Sequence, residues 1–130
     1  MFNKLAAIGI KVNDFNKAIT FYKEVLELPV HIEDKENQFA ELVVGNSLLA
    51  LLTEATLKDM SENLKLVNPD ESTFLFAVEV DNLKEIYCTL SEKGVNFIQK
   101  PKSTPWGQKV AYFRDIEGYV WEISEPSLEQ

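Results

Sequence analysis

Glu122 is the side chain in this sequence whose position most needs a chemical reason. It stands in Val120-Trp121-Glu122-Ile123-Ser124, between two large apolar residues, where alternation predicts the middle of a β-strand. A carboxylate there is costly unless it is solvated, paired or bound to something. It could ligate a divalent ion, act as a general base, or offset a cationic ligand. His31 is the only histidine and lies on a different predicted strand, so no Ser-His-Asp arrangement can be assembled around it. It is expected to be a structural residue. The single cysteine, Cys88, falls beside Tyr87 on a predicted helix with no histidine to activate it, and is expected to pack rather than attack. No glycine-rich phosphate loop is present. Trp106 lies in the loop Pro105-Trp106-Gly107, where a large aromatic has no strand role, and two readings stand level: ligand contact or loop anchor.

The totals narrow the partners. The 130 residues carry 13 basic and 21 acidic side chains, a net charge of −8, which argues against a nucleic-acid backbone as partner. The charge permits a cationic ligand and equally suits a soluble surface. One cysteine rules out an internal disulfide and fits a reducing compartment. The first residues lack the apolar run and basic flank of a signal peptide, and no apolar run approaches the ~20 residues of a membrane span. A cytoplasmic protein with no membrane partner is the expectation.

The elements that must position these residues can be read in order. Leu5–Val12 reads as a strand, and Asp14 as the cap of a helix that ends near Glu27, before Pro29. Strands are predicted over Val30–Glu33, Gln38–Val44 and Ser47–Thr53, then a short helix over Ala55–Asn63. Leu64–Ser72, with Asn68-Pro69-Asp70, reads as a linker. The pattern then restarts with a strand at Thr73–Val80. Asn82 and Glu85 resemble a capping box, Leu83, Ile86, Tyr87 and Leu90 form a helical stripe, and Gly94 stands at the expected cap. Strands follow at Val95–Gln99, Lys109–Arg114 and Tyr119–Glu125, the last two joined by a turn carrying Asp115 and Gly118.

Each half therefore reads strand, helix, three strands, with Val12-Asn13-Asp14 answered by Val80-Asp81-Asn82. The fold class expected is α+β: two tandem β-α-β-β-β modules, residues 1–66 and 67–130, forming a curved mixed sheet with a concave cleft and the helices outside. This pattern, with Ile10-Lys11-Val12-Asn13-Asp14 leading into Ala18-Ile19-Thr20-Phe21-Tyr22, and with Tyr112-Phe113-Arg114-Asp115, Gly118 and Trp121-Glu122-Ile123 at the end, resembles the vicinal-oxygen-chelate superfamily. That superfamily includes glyoxalases, extradiol dioxygenases, and fosfomycin- and bleomycin-resistance proteins.

The resemblance implies divalent-metal ligands on the first and last strands of each module. Carried over one at a time, those positions fall at Ala7, within Leu49–Leu52, at Leu75 and at Glu122, and only Glu122 keeps a donor. The implied cofactor is therefore none. If Glu122 faces the cleft as in the family, Val120 and Ser124 face it too and Trp121 belongs to the core. Ala7, Gly9, Lys11, Leu75, Ala77 and Glu79 would line the same cleft, and Phe39, Glu41, Val110 and Tyr112 would follow if the register holds. The ligand-binding set expected is Phe39, Glu41, Leu75, Trp106, Tyr112 and Glu122. What the resemblance implies is a metal-free binding protein of the bleomycin-resistance type, a homodimer sequestering an aromatic or cationic small molecule. The alternative is a glyoxalase-class lyase with Glu122 as metal ligand or general base.

Overall fold

The Asp14 carboxylate accepts a hydrogen bond from the Lys17 backbone N–H at 3.1 Å, so the first helix starts where an N-cap residue predicts. The computed structural model describes residues 1, 3–61, 63, 74–105 and 107–126. The predicted linker at 64–72 and Trp106 fall outside them.

The chain divides into two compact units, Met1–Pro69 and Asp70–Gln130. In the first, β1 (Ile8–Lys11) leads to α1 (Phe15–Thr20), then β2 (Val30–Asp34), β3 (Phe39–Val44), β4 (Ser47–Leu52) and α2 (Glu54–Met60). In the second, β5 (Phe76–Glu79) leads to α3 (Leu83–Glu92), then β6 (Asn96–Ser103), β7 (Lys109–Arg114) and β8 (Val120–Ser124). The sheet orders are β1-β4-β3-β2 and β5-β8-β7-β6, so the two units share one topology. In each sheet the first and last strands pair in parallel and the other pairs are antiparallel. The α+β class of two tandem β-α-β-β-β modules, each built on a mixed sheet, is the observed fold.

Each unit buries the face that alternation assigns to its helix. Ile10, Leu51 and Ala40 form one row across the first sheet and are essentially inaccessible, with Ala18, Ile19 and Tyr22 of the helix also buried. In the second unit Phe76 stacks on Trp121 with ring centroids 4.4 Å apart, and Phe113 lies parallel to Trp121 at 6.1 Å. Trp121 is core, as expected.

Several boundaries differ from the sequence expectation, among them the end of α2, predicted at Asn63 and observed at Met60. The strand predicted from Leu5 begins at Ile8, because its partner β4 offers register only from Leu49 to Leu52. After Thr20 the first helix widens into a π-helical turn over Phe21–Val25, in which the Leu26 N–H reaches the Phe21 carbonyl, and Glu27 turns the chain out at φ 56° before Pro29. Among the described residues, the strand predicted from Thr73 is paired over Phe76–Glu79. The strand predicted to stop at Gln99 continues to Ser103. It lies at the sheet edge, where Pro101 costs no ladder bond, and its register shifts between Gln99 and Lys102. No helix among the described residues is long and apolar enough to cross a membrane.

Candidate ligand-binding faces

In the second unit, Ala77, Glu122, Tyr112 and Gln99 occupy one row across β5, β8, β7 and β6. The neighbouring row, Phe76, Trp121 and Phe113, belongs to the aromatic core, so period-two alternation turns Glu122 and Tyr112 to the face away from α3. There the Tyr112 hydroxyl donates to Glu122 Oε2 at 2.7 Å, a short charge-assisted bond. That bond, then burial, then the carboxylate's charge hold the Tyr112 phenol above its usual pKa. Tyr112 is thus kept as a neutral donor. Glu122 Oε1 accepts no hydrogen bond among the described residues and is the acceptor available to a ligand.

The corresponding row of the first unit is Gly9, Ala50, Glu41 and Ile32. Here the acid stands on β3 instead of on the last strand, and Ala50 holds the place that Glu122 holds in the second unit. Phe39 is on the same face as Glu41, two residues along the strand, and both are half-buried. A register shift between Val30 and Ile32 leaves His31 as the extra residue, with its Nε2 3.9 Å from Glu41 Oε1. That distance is too long for a hydrogen bond and makes an ion pair when the imidazole is protonated. The sequence placed His31 away from the metal-ligand strands, as it is; the bulge sets it beside Glu41 of the neighbouring strand.

A family model described as a glyoxalase-like domain matches residues 5–129. The chain belongs to the glyoxalase-like family. YraH, an uncharacterised protein of Bacillus subtilis, is 34% identical over 123 residues, covering 92% of this chain and 96% of its own. A metallothiol transferase, FosB, of Staphylococcus saprophyticus is 25% identical over 129 residues, covering 99% of this chain and 81% of its own. The solved structure of a glyoxalase/bleomycin resistance protein/dioxygenase from Nocardioides superposes with a TM-score of 0.81 at 21% identity, covering all of this chain and 87% of that one. The resemblance to the vicinal-oxygen-chelate superfamily is thereby shown.

Within this glyoxalase-like chain the structure joins Tyr112 to Glu122 and places Phe39 beside Glu41. Leu75 precedes β5 and is exposed, and Ala7 precedes β1 and is half-buried. Ala50 and Leu52 share the face of Glu41 and Phe39. Cys88 corrects its expectation. It is exposed on α3 rather than packed, because the buried helix positions are Leu83 and Leu90 and Cys88 lies off that stripe.

Proposed function

We propose that this glyoxalase-like protein binds a small aromatic or cationic molecule without a metal of its own, as a homodimer in the cytoplasm. The observation that carries the reading is the Tyr112–Glu122 pair. A carboxylate fixed by a phenol at 2.7 Å, with one oxygen left open on a sheet face, suits a cation, and the Tyr112 ring offers an aromatic surface beside it. Phe39, Glu41, Leu75 and Trp106 are the further contacts proposed.

The donor chemistry supports the metal-free part. A divalent ion needs several N, O or S donors converging on one point. Ala7, Leu75 and the stretch Leu49–Leu52 present only hydrocarbon, and Glu122 Oε2 already accepts from Tyr112. Among the described residues no three His, Cys, Asp or Glu side chains group closely enough to hold an ion. These residues do not fit a divalent metal.

The similarity to a metallothiol transferase favours one second reading, an enzyme in which Glu122 is a metal ligand or the general base. One pair of measurements separates them. Calorimetric titration of chelator-treated protein with an aryl-substituted N-methylpyridinium should show saturable binding that Glu122→Gln weakens roughly tenfold, the loss of one charge contact in a partly dry site. Elemental analysis after incubation with zinc, nickel, manganese and iron(II) should find no stoichiometric ion. About one ion per chain, with no binding of the cation, would sink the metal-free reading and leave the enzyme.

A further inference from the structure

The hydrogen-bond inventory of the Tyr112–Glu122 pair is one-sided. A phenol carries one donor hydrogen beside its lone pairs, and a carboxylate carries acceptors alone. Tyr112 commits its hydrogen to Glu122 Oε2 at 2.7 Å. Glu122 Oε1, the second lone pair of Oε2 and the lone pairs of Tyr112 Oη remain, and all of them are acceptors. Among the described residues nothing else donates to either side chain.

The neighbours do not supply a donor. In the row of the pair, Ala77 has no polar side-chain atom, and Gln99 Nε2 donates to the Lys100 carbonyl at 2.9 Å. Arg114, two residues along β7 on the same face, directs Nη1 to the Gly118 carbonyl at 2.7 Å. Lys102 and Ser124 share the face in the next row, about 7 Å along the strands, and neither donates to the pair. The register shift between Phe97 and Gln99 puts Ile98 at the β6 bulge, where the first unit has the imidazole of His31. At that place the second face lacks the N–H that the first can offer. Ala77, beside Glu122 on the edge strand β5, is exposed, so that flank of the carboxylate is open to solvent.

A site made of acceptors selects a ligand that brings its own hydrogens. We propose that the cation taken by this face bears N–H groups on a flat body, as an aryl amidinium or guanidinium does, in preference to a quaternary or N-alkylated cation. The inference rests on the cation-binding reading of the same face and narrows its ligand class. Such a cation donates to Glu122 Oε1 and to the lone pairs of Tyr112 Oη. Those charge-assisted bonds add to the attraction that any ligand of equal charge would feel. An anion or a carbonyl oxygen placed there would meet lone pairs and be repelled.

Two probes separate hydrogen bonding from charge. Biphenyl-4-carboxamidinium and 4-phenyl-N-methylpyridinium each carry one positive charge on an aryl body of similar length, and only the first has N–H groups. In calorimetric titration of chelator-treated protein at neutral pH, the amidinium should bind roughly tenfold more tightly or better, the added worth of hydrogen bonds to a charged group. In Glu122→Gln the pyridinium should weaken roughly tenfold and the amidinium roughly a hundredfold, so that the preference falls to about one, with circular dichroism confirming the fold. Equal affinities in the parent would overturn the proposal and leave a face that binds cations by charge alone. A preference that persists in Glu122→Gln would also overturn it, because the N–H groups would then be bonded elsewhere. Failure of both cations to bind the parent would remove the cation-binding reading and this proposal with it.

Discussion

Tyr112→Phe removes one hydroxyl and leaves the ring, and its consequences can be worked from the geometry. The lost contact is a 2.7 Å bond from a phenol to a carboxylate in a part-buried setting. Glu122 is not sealed from solvent, so water can replace the phenol and the cost is the net worth of the bond, about 1 kcal/mol. For a chain of this size that is a fall in Tm of about 3–5 °C at neutral pH. The pH dependence follows from the raised pKa of Tyr112. A group whose folded value lies above its ordinary 10.0 contributes stability that is complete below that pH and is lost as pH rises through the folded value. The stability gap between parent and Tyr112→Phe should therefore be constant through neutral pH and close in strong alkali. Ultraviolet titration of tyrosinate, taken as the difference between the two proteins, isolates one phenol of the four in the chain. Its midpoint should lie above 10.0, and Glu122→Gln should bring it down, because the bond to Glu122 is the largest cause of the shift. A midpoint at or below the ordinary value, or one indifferent to Glu122→Gln, would refute the assignment of this pair.

Two further outcomes test the scaffold that holds the pair. Asp115 is buried and its Oδ1 accepts the backbone N–H groups of Glu117 and Tyr119, each at 2.9 Å, so Asp115→Ala should cost about 2 kcal/mol in denaturant unfolding, and Asp115→Asn, which keeps an acceptor oxygen, less than half of that. Trp121→Ala should cost about 3–5 kcal/mol by removing the ring that stacks against Phe76 and Phe113, whereas Trp121→Phe should cost clearly less.

The parts of the fold legible in the sequence are those written in short-range chemistry. Asp14 and Asn82 each cap a helix through the backbone N–H three residues on, and Gly94 adopts the left-handed φ of 86° that a helix end requires. The apolar run bounded by Lys109 and Arg114 delimits that strand to the residue, and the conditional placing of Tyr112 on the face of Glu122 holds; the hydrogen bond between the two is not written in the sequence. What escaped depends on partners distant in the chain. A regular hairpin continued from Asp34 and Phe39 would pair His31 with Leu42; the bulge gives that place to Val30 and moves His31 toward Glu41. Nothing local announces such a shift. The extent of β6 was hidden for a related reason, since Pro101 breaks a central strand but not an edge, and edge status is a property of the assembled sheet.

That edge also bears on how copies of the chain can meet. A strand of eight residues with one unpaired side is a template for another chain's backbone. β6 works against this with Pro101, the flanking charges of Lys100 and Lys102, and two register shifts that break up its hydrogen-bonding repeat. In the first unit the outer strand β2 has its own bulge at His31 and charged residues at Glu33 and Asp34. Both hairpin edges thus discourage a continuous sheet running from one molecule to the next, whether in a fibril or in a dimer. Association through side chains on faces remains open to the protein, and an assembly of that kind leaves the backbone edges of β2 and β6 unpaired.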